Sequence, residues 1–392
     1  PEKYDTIEKN RSDRRFSCRL TGGISLNQIL RPDPYDPFSN PTQHRTYASH
    51  YRSILPQIEL PGYQIPLSPT KQERKRIRHY FNAVGFGFFA HFFFVQIAAI
   101  LLMLLFDFIL GLSGNPMDPD TYIEQSSMLI ALNGLIFLTA NTGVASIGCR
   151  ATNIPIRSFF RTNQFRFSDV VPYLFIGIFI QCITGYAASW ITMLLDQGGI
   201  TAYEPNIDYY GTGTAIAAEI LYSCLIAPIT EELLYRGFAL KNLSRVSQHT
   251  GILLTAFLFG LGHQNIAQFV LAFPLGIFLG AITVRHNSIL PAIFVHITVN
   301  TVSTIFDLGY TWITEKQLQY AFDLYGNLLY LLIALIGGIL FLLHLRKYTL
   351  PKNTPAQSLR GSRMLLTSPW LLAAIAVNLY IAIIAIQSAS GI

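Results

Sequence analysis

Apolar residues in this chain gather in long blocks rather than in the short periods of a soluble domain. Nine runs, at 82–112, 125–149, 168–195, 212–240, 250–263, 265–284, 288–309, 325–345 and 368–387, predict helices. Most reach the ~20 residues that a hydrocarbon core demands. The run at 250–263 is short for a full crossing and predicts a helix ending at mid-membrane, where His263, Gln264 and Asn265 must be buried in protein or face water. Residues 1–70, rich in Pro, Tyr, Ser, Asn and Arg, show no sustained helical period and predict an irregular or partner-ordered segment. The expected fold class is therefore all-α, a polytopic membrane helix bundle of about eight or nine transmembrane helices behind an irregular polar N-terminal segment. Four regions follow: a polar cytoplasmic segment at 1–80, three transmembrane helices at 81–210, a core at 211–309 and C-terminal transmembrane helices at 310–392.

Composition supports this. The chain is 51% hydrophobic and 13% charged, against about a quarter charged in soluble domains. The net charge of +6 then belongs to loops facing lipid headgroups, not to a nucleic-acid surface. Residues 71–81, KQERKRIRHYF, place a basic cluster just before the first span, suited to anionic lipid. The connections at 150–166, 241–245, 285 and 345–363 are basic, whereas 113–125 and 196–213 contain no Lys or Arg. The positive-inside rule predicts a cytoplasmic N-terminus and an external C-terminus. Cys18, Cys149, Cys182 and Cys224 form no CxxC pair, so neither a disulfide framework nor a zinc knuckle is implied.

Polar residues inside the apolar runs change the picture from fold to chemistry. Glu231, Glu232, Arg236, His263, His296 and Asn300 fall within 70 residues of one another, and ionisable groups in a membrane are expensive enough to need a reason. Counted from the inner ends of their helices, Glu231, His263 and His296 lie roughly 15, 20 and 12 Å deep. Glu232 and Arg236 are spaced i, i+4, the order that favours an intrahelical ion pair. Glu231 points ~100° away and is left to face a cavity, where a carboxylate can take a proton from water. His296 and Asn300 also share a face, and together they can hold a developing oxyanion. Phe259 shares a face with His263 and orients its ring. On the first span, His91 and Asp107 are expected to be internal hydrogen-bond partners. The sequence GLSG at 111–114 is an exit turn, and GIFLG at 276–280 permits close helix packing.

EELLYR (231–236), FGLGH (259–263) and HITVN (296–300) fit EExxxR, FxxxH and HxxxN. In that order they resemble the CPBP intramembrane protease family, also called Abi, which includes the CAAX prenyl endopeptidases. The similarity covers roughly residues 210–305. The resemblance implies that Glu231 is the water-activating base assisted by His263, and that His296 and Asn300 stabilise the oxyanion. Glu232 and Arg236 complete the first motif, with Tyr235 and Phe259 supporting. The cavity is expected to open toward the cytoplasm. The family's metalloprotease label makes zinc a candidate cofactor, held by Glu231, His263 and His296 if a metal is bound; no HExxH arrangement makes that specific.

The expected function is an intramembrane endopeptidase acting on a membrane-associated, lipidated or leader peptide with Glu-activated water. Expected partners are membrane lipids, the peptide or protein substrate, and a protein bound through residues 1–80. The alternatives are a protease-like scaffold, as an immunity or assembly subunit without proteolysis, and a transporter using the carboxylates as a proton relay. The latter lacks any sign of inverted repeats.

Overall fold

A computed structural model of the chain describes residues 71–113, 127–163, 165–200, 213–245, 247–348 and 367–390. Residues 1–70, and with them Cys18 and most of the expected partner-binding segment, lie outside the described residues. The described residues are helical, with no strand among them. The helices are α1 (Lys71–Ser113), α2 (Ser127–Ala151), α3 (Phe167–Gln197), α4 (213–243), α5 (Gln248–Gly262), α6 (Ile266–His286), α7 (Leu290–Trp312), α8 (316–348) and α9 (Pro369–Ser390). Seven of them, all but α4 and α5, contain a span long and apolar enough to cross a membrane. The protein is a polytopic membrane helix bundle.

Two boundaries move from their sequence expectations. α1 begins at Lys71, so the basic stretch at 71–81 is continuous with the first span. Ile77, Tyr80 and Phe81 share one face and are buried there; this apolar stripe carries the helix back into the basic cluster. α8 begins at Lys316, before the apolar run does. Residues 316–321 are good helix formers that the apolar pattern alone does not mark.

α4 is one continuous helix with two π segments, Tyr222–Ile226 and Leu233–Leu240, on either side of Ala227–Glu232. Pro228 accounts for part of this. The Ala227 N–H already bonds the Tyr222 carbonyl, so the next carbonyl, that of Ser223, would need an N–H that Pro228 does not have. The side chain of Asn300 on α7 supplies a donor instead, 2.9 Å from Ser223 O.

α5 and α6 form an antiparallel hairpin. Ser247 caps α5 by accepting from Thr250 N–H, and Asn265 caps α6 by accepting from Gln268 N–H. The two helices approach closely because a Cβ at Gly276 would sit 3.1 Å from Ala256, and one at Gly280 would sit 3.2 Å from Ile252. The GxxxG stretch therefore acts as expected. Fifteen residues make α5 about 22 Å long, short of the ~30 Å core, as its apolar run predicted.

The main core draws Phe81 and Phe88 from α1, Leu234, Tyr235 and Phe238 from α4, Leu254, Leu258 and Phe259 from α5, and Leu371 and Ala374 from α9. A second cluster joins α3, α6 and α7. The basic turn at 241–245, expected as an exposed loop, is buried. Arg245 lies 4.0 Å over the Tyr80 ring and donates to Thr152 O, and Lys241 donates to Ser158 Oγ. Cys149, Cys182 and Cys224 are free and buried. His91 accepts the expected internal role through Asn141, whereas Asp107 is exposed on α1. Asp107 stands six residues, about 9 Å, before the last described residue of α1, nearer the rim of the span than its middle.

Candidate active site

The site forms where α4, α5 and α7 meet. Glu232 is fully buried, and its Oε1 accepts from Arg236 at 2.7 Å and from His296 Nδ1 at 3.0 Å. A carboxylate holding a guanidinium and an imidazole at once is a charge-assisted arrangement that fixes both partners. Arg236, 1% exposed, also lies 4.5 Å over the Phe259 ring and points a second nitrogen at Gly276 O, 3.5 Å away. Glu232 Oε2 is buried with no hydrogen-bond partner among the described residues.

Glu231 differs from its neighbour. Its side chain keeps 24% exposure, and Oε2 stands 3.8 Å from His296 Nε2. One imidazole thus connects the two adjacent glutamates: Nδ1 donates to the buried one, and Nε2 faces the accessible one. His263 is held differently. Its Nδ1 donates to the Phe259 carbonyl at 2.9 Å, which leaves Nε2 as the lone-pair nitrogen of the neutral ring. The Phe259 ring contacts both imidazoles edge-on, with centroids 5.1 Å from His263 and 5.6 Å from His296. The two histidines consequently lie on one aromatic plate, with centroids at most about 11 Å apart. Tyr235 packs between Phe88 and Phe259, and Gly262 leaves room for its hydroxyl. Asn300 spends one amide N–H on Ser223 O and keeps the other.

A polar chain that the motifs do not mark reaches the same turn. His91 Nε2 lies 2.7 Å from Asn141 Oδ1, Asn141 Nδ2 lies 3.0 Å from Thr230 Oγ1, and Thr230 Oγ1 donates to Ala227 O at 3.2 Å. Each donor finds an acceptor, so the chain runs without a break from α1 through α2 to the residue before Glu231. Only the rarity of His and Asn in apolar runs could have drawn attention to these two positions.

Residues 213–302 match the family described as Type II CAAX prenyl endopeptidase Rce1-like. This segment is similar to the Rce1-like family. It holds α4 to α7 up to Val302, and so contains all three motifs and every residue of the Glu231–Glu232–His263–His296–Asn300 group. The remainder of the bundle, including His91 and Asn141, lies outside the match. No curated protein matches the chain, and no solved structure does. The match supports a CAAX-type intramembrane protease, and the spans around the matched segment make the protein an integral membrane protein.

The metalloprotease label finds no support in the Rce1-like match. Nor does the donor set fit zinc: among the described residues no three His, Cys, Asp or Glu side chains converge as metal ligands.

Proposed function

We propose that this protein is an intramembrane endopeptidase that hydrolyses a peptide bond of a membrane-associated, lipidated or leader peptide with water activated by Glu231. The observation that carries this reading is the asymmetry of the two adjacent glutamates. Glu232 is sealed against Arg236 and His296, and Glu231 is accessible beside the other nitrogen of the same imidazole.

In this reading Glu231 takes one proton from water while the bare Nε2 of His263 accepts a hydrogen bond from the remaining O–H and orients the oxygen for attack. The hydroxyl adds to the scissile carbonyl, and the negative charge develops on the carbonyl oxygen. His296 in its imidazolium form can donate Nε2–H to that oxygen while its Nδ1–H stays on Glu232. The free amide N–H of Asn300 adds a second donor. Glu231 then returns its proton to the leaving nitrogen as the C–N bond breaks. Glu232 and Arg236 orient His296 much as a buried acid orients the imidazole of a hydrolase triad.

The substrate class follows from the family's description and from the depth of the site. The favoured substrate is a prenylated C-terminal peptide held in the bilayer, presented from the cytoplasmic side. The basic connection at 150–166 supports a cytoplasmic N-terminus and an external C-terminus. Residues 1–80 remain the expected attachment for a protein partner.

The test uses the full chain in nanodiscs with a quenched, farnesylated CAAX peptide. Glu231→Gln and His263→Ala are each expected to lose about 10²–10⁴-fold in kcat with melting temperature unchanged. Wild-type turnover by Glu231→Gln would end the assignment. Full activity after chelation, with substoichiometric zinc by elemental analysis, is expected; loss on chelation and recovery with zinc would reverse the metal reading.

A further inference from the structure

We propose that Asn378, on the last helix, is a positioning residue for His263, holding the elbow from which the imidazole faces the reacting water. The proposal rests on the role given to His263 above. It concerns α9, which lies outside the matched segment.

His263 ends α5, and the chain then turns within two residues. Gln264 takes φ +56° and Asn265 is extended. A left-handed conformation is uncommon for a residue with a β-carbon and persists only where the surroundings hold it. The elbow's own backbone bonds are modest: His263 N–H to Gly260 O at 3.3 Å and Gln264 N–H to Leu261 O at 3.1 Å. One tether to another helix is a side-chain bond, in which Gln264 Nε2 donates to Asn378 Oδ1 at 3.2 Å.

Asn378 is placed to do this and little else. Its Nδ2 donates to Ala374 O at 2.8 Å, one turn back, so a flip of the amide would lose that bond and turn a donor toward Gln264. The helix beneath it is anchored. Ser368 donates to Asn82 Oδ1 at 2.7 Å, and a Cβ at Gly85 would collide with the backbone of Leu371. Leu371 and Ala374 are buried in the cluster that contains Leu254, Leu258 and Phe259. The last helix therefore bears on the surroundings of His263 in two ways. It packs into the cluster around Phe259, whose carbonyl holds Nδ1, and it ties down the residue that follows the histidine. Removing the tie leaves the ring bonded to α5 but frees the backbone to rotate it away from the water.

The experiment compares Asn378→Ala, Asn378→Asp, Gln264→Ala and the Gln264→Ala/Asn378→Ala double variant. It uses the full chain in nanodiscs with the farnesylated CAAX peptide. A displacement of about 1 Å can cost on the order of 10²-fold. Asn378→Ala is thus expected to lose 10- to 100-fold (about that order) in kcat with KM and melting temperature held. Asn378→Asp, which keeps the acceptor oxygen, is expected to recover most of it. The double variant should be no worse than either single one, because one bond is broken in each. A second arm needs no turnover: in ¹⁵N-histidine spectra the His263 signal, assigned by its loss in His263→Ala, is expected as a single Nδ1–H tautomer. Asn378→Ala should average it between tautomers.

Wild-type kcat and an unmoved His263 signal in Asn378→Ala would overturn the proposal. So would additive losses that track melting temperature with no recovery by Asp. If instead Glu231→Gln and His263→Ala cleave normally, or the wild type cleaves nothing, the water-activation reading fails, and the spectra still decide the tether.

Discussion

Glu232 shows how one residue can be costly and indispensable together. Its carboxylate is fully buried, one oxygen serves Arg236 and His296, and the other has no partner among the described residues. Removing the cation should therefore hurt more than the pair itself contributes, because an uncompensated charge remains. Arg236→Met is expected to destabilise by about 3–5 kcal/mol, measured by denaturant unfolding in detergent. The Glu232→Gln/Arg236→Met double variant is expected to recover part of that. Asn300 carries a different load. Asn300→Leu would orphan the Ser223 carbonyl beside Pro228, at about 1–3 kcal/mol, so its melting temperature should fall along with kcat. A pure oxyanion donor would lower kcat alone. The i, i+4 spacing of EELLYR made the Glu232–Arg236 pair legible in the sequence. The tie from Asn300 to Ser223 was not, because it depends on which N–H the turn before Pro228 has already used.

At the scale of the element, α5 and α6 behave as one unit. Gly276 brings Ala256 and the ring of Phe259 against α6, and that ring supports both histidines. Gly276→Leu is expected to cost about 1–3 kcal/mol through overpacking and to lower kcat further by displacing Phe259. Gly143→Ala, where a Cβ would meet nothing within 4 Å, should change neither. Close packing at GIFLG and the shortness of the 250–263 run were legible in the sequence; the pairing of the two helices as a hairpin was not. The π segments of α4 were not, because apolar periodicity cannot separate an i+4 ladder from an i+5 ladder over so few residues. Such segments recur at functional sites, and here they flank the two glutamates.

For the whole molecule, the fold class could be read from block lengths and low charge, and the wiring between blocks could not. The charge pattern alone makes 241–245 a basic connection, yet Lys241 and Arg245 are packed against Phe159 and Tyr80. Their stems and charges find partners that only the assembled bundle supplies. Orientation then rests mainly on 150–166, and it can be tested directly. In a variant whose four cysteines are replaced, a thiol at exposed Thr162 should react with an impermeant reagent only from the cytoplasmic side. One at exposed Gln197 should react only from outside. The opposite pattern would invert the bundle.

The abrupt end of α5 has a consequence for solvent. A helix about 8 Å too short for the hydrocarbon layer ends in a turn whose His263 and Gln264 amides keep only bonds of 3.3 and 3.1 Å, to Gly260 O and Leu261 O, so water that follows the chain inward can compete for them. In heavy water those few amides should exchange far faster than the helical turns on either side. The result would be a narrow damp notch walled by dry protein, and a bond brought there would meet the reagent needed to split it.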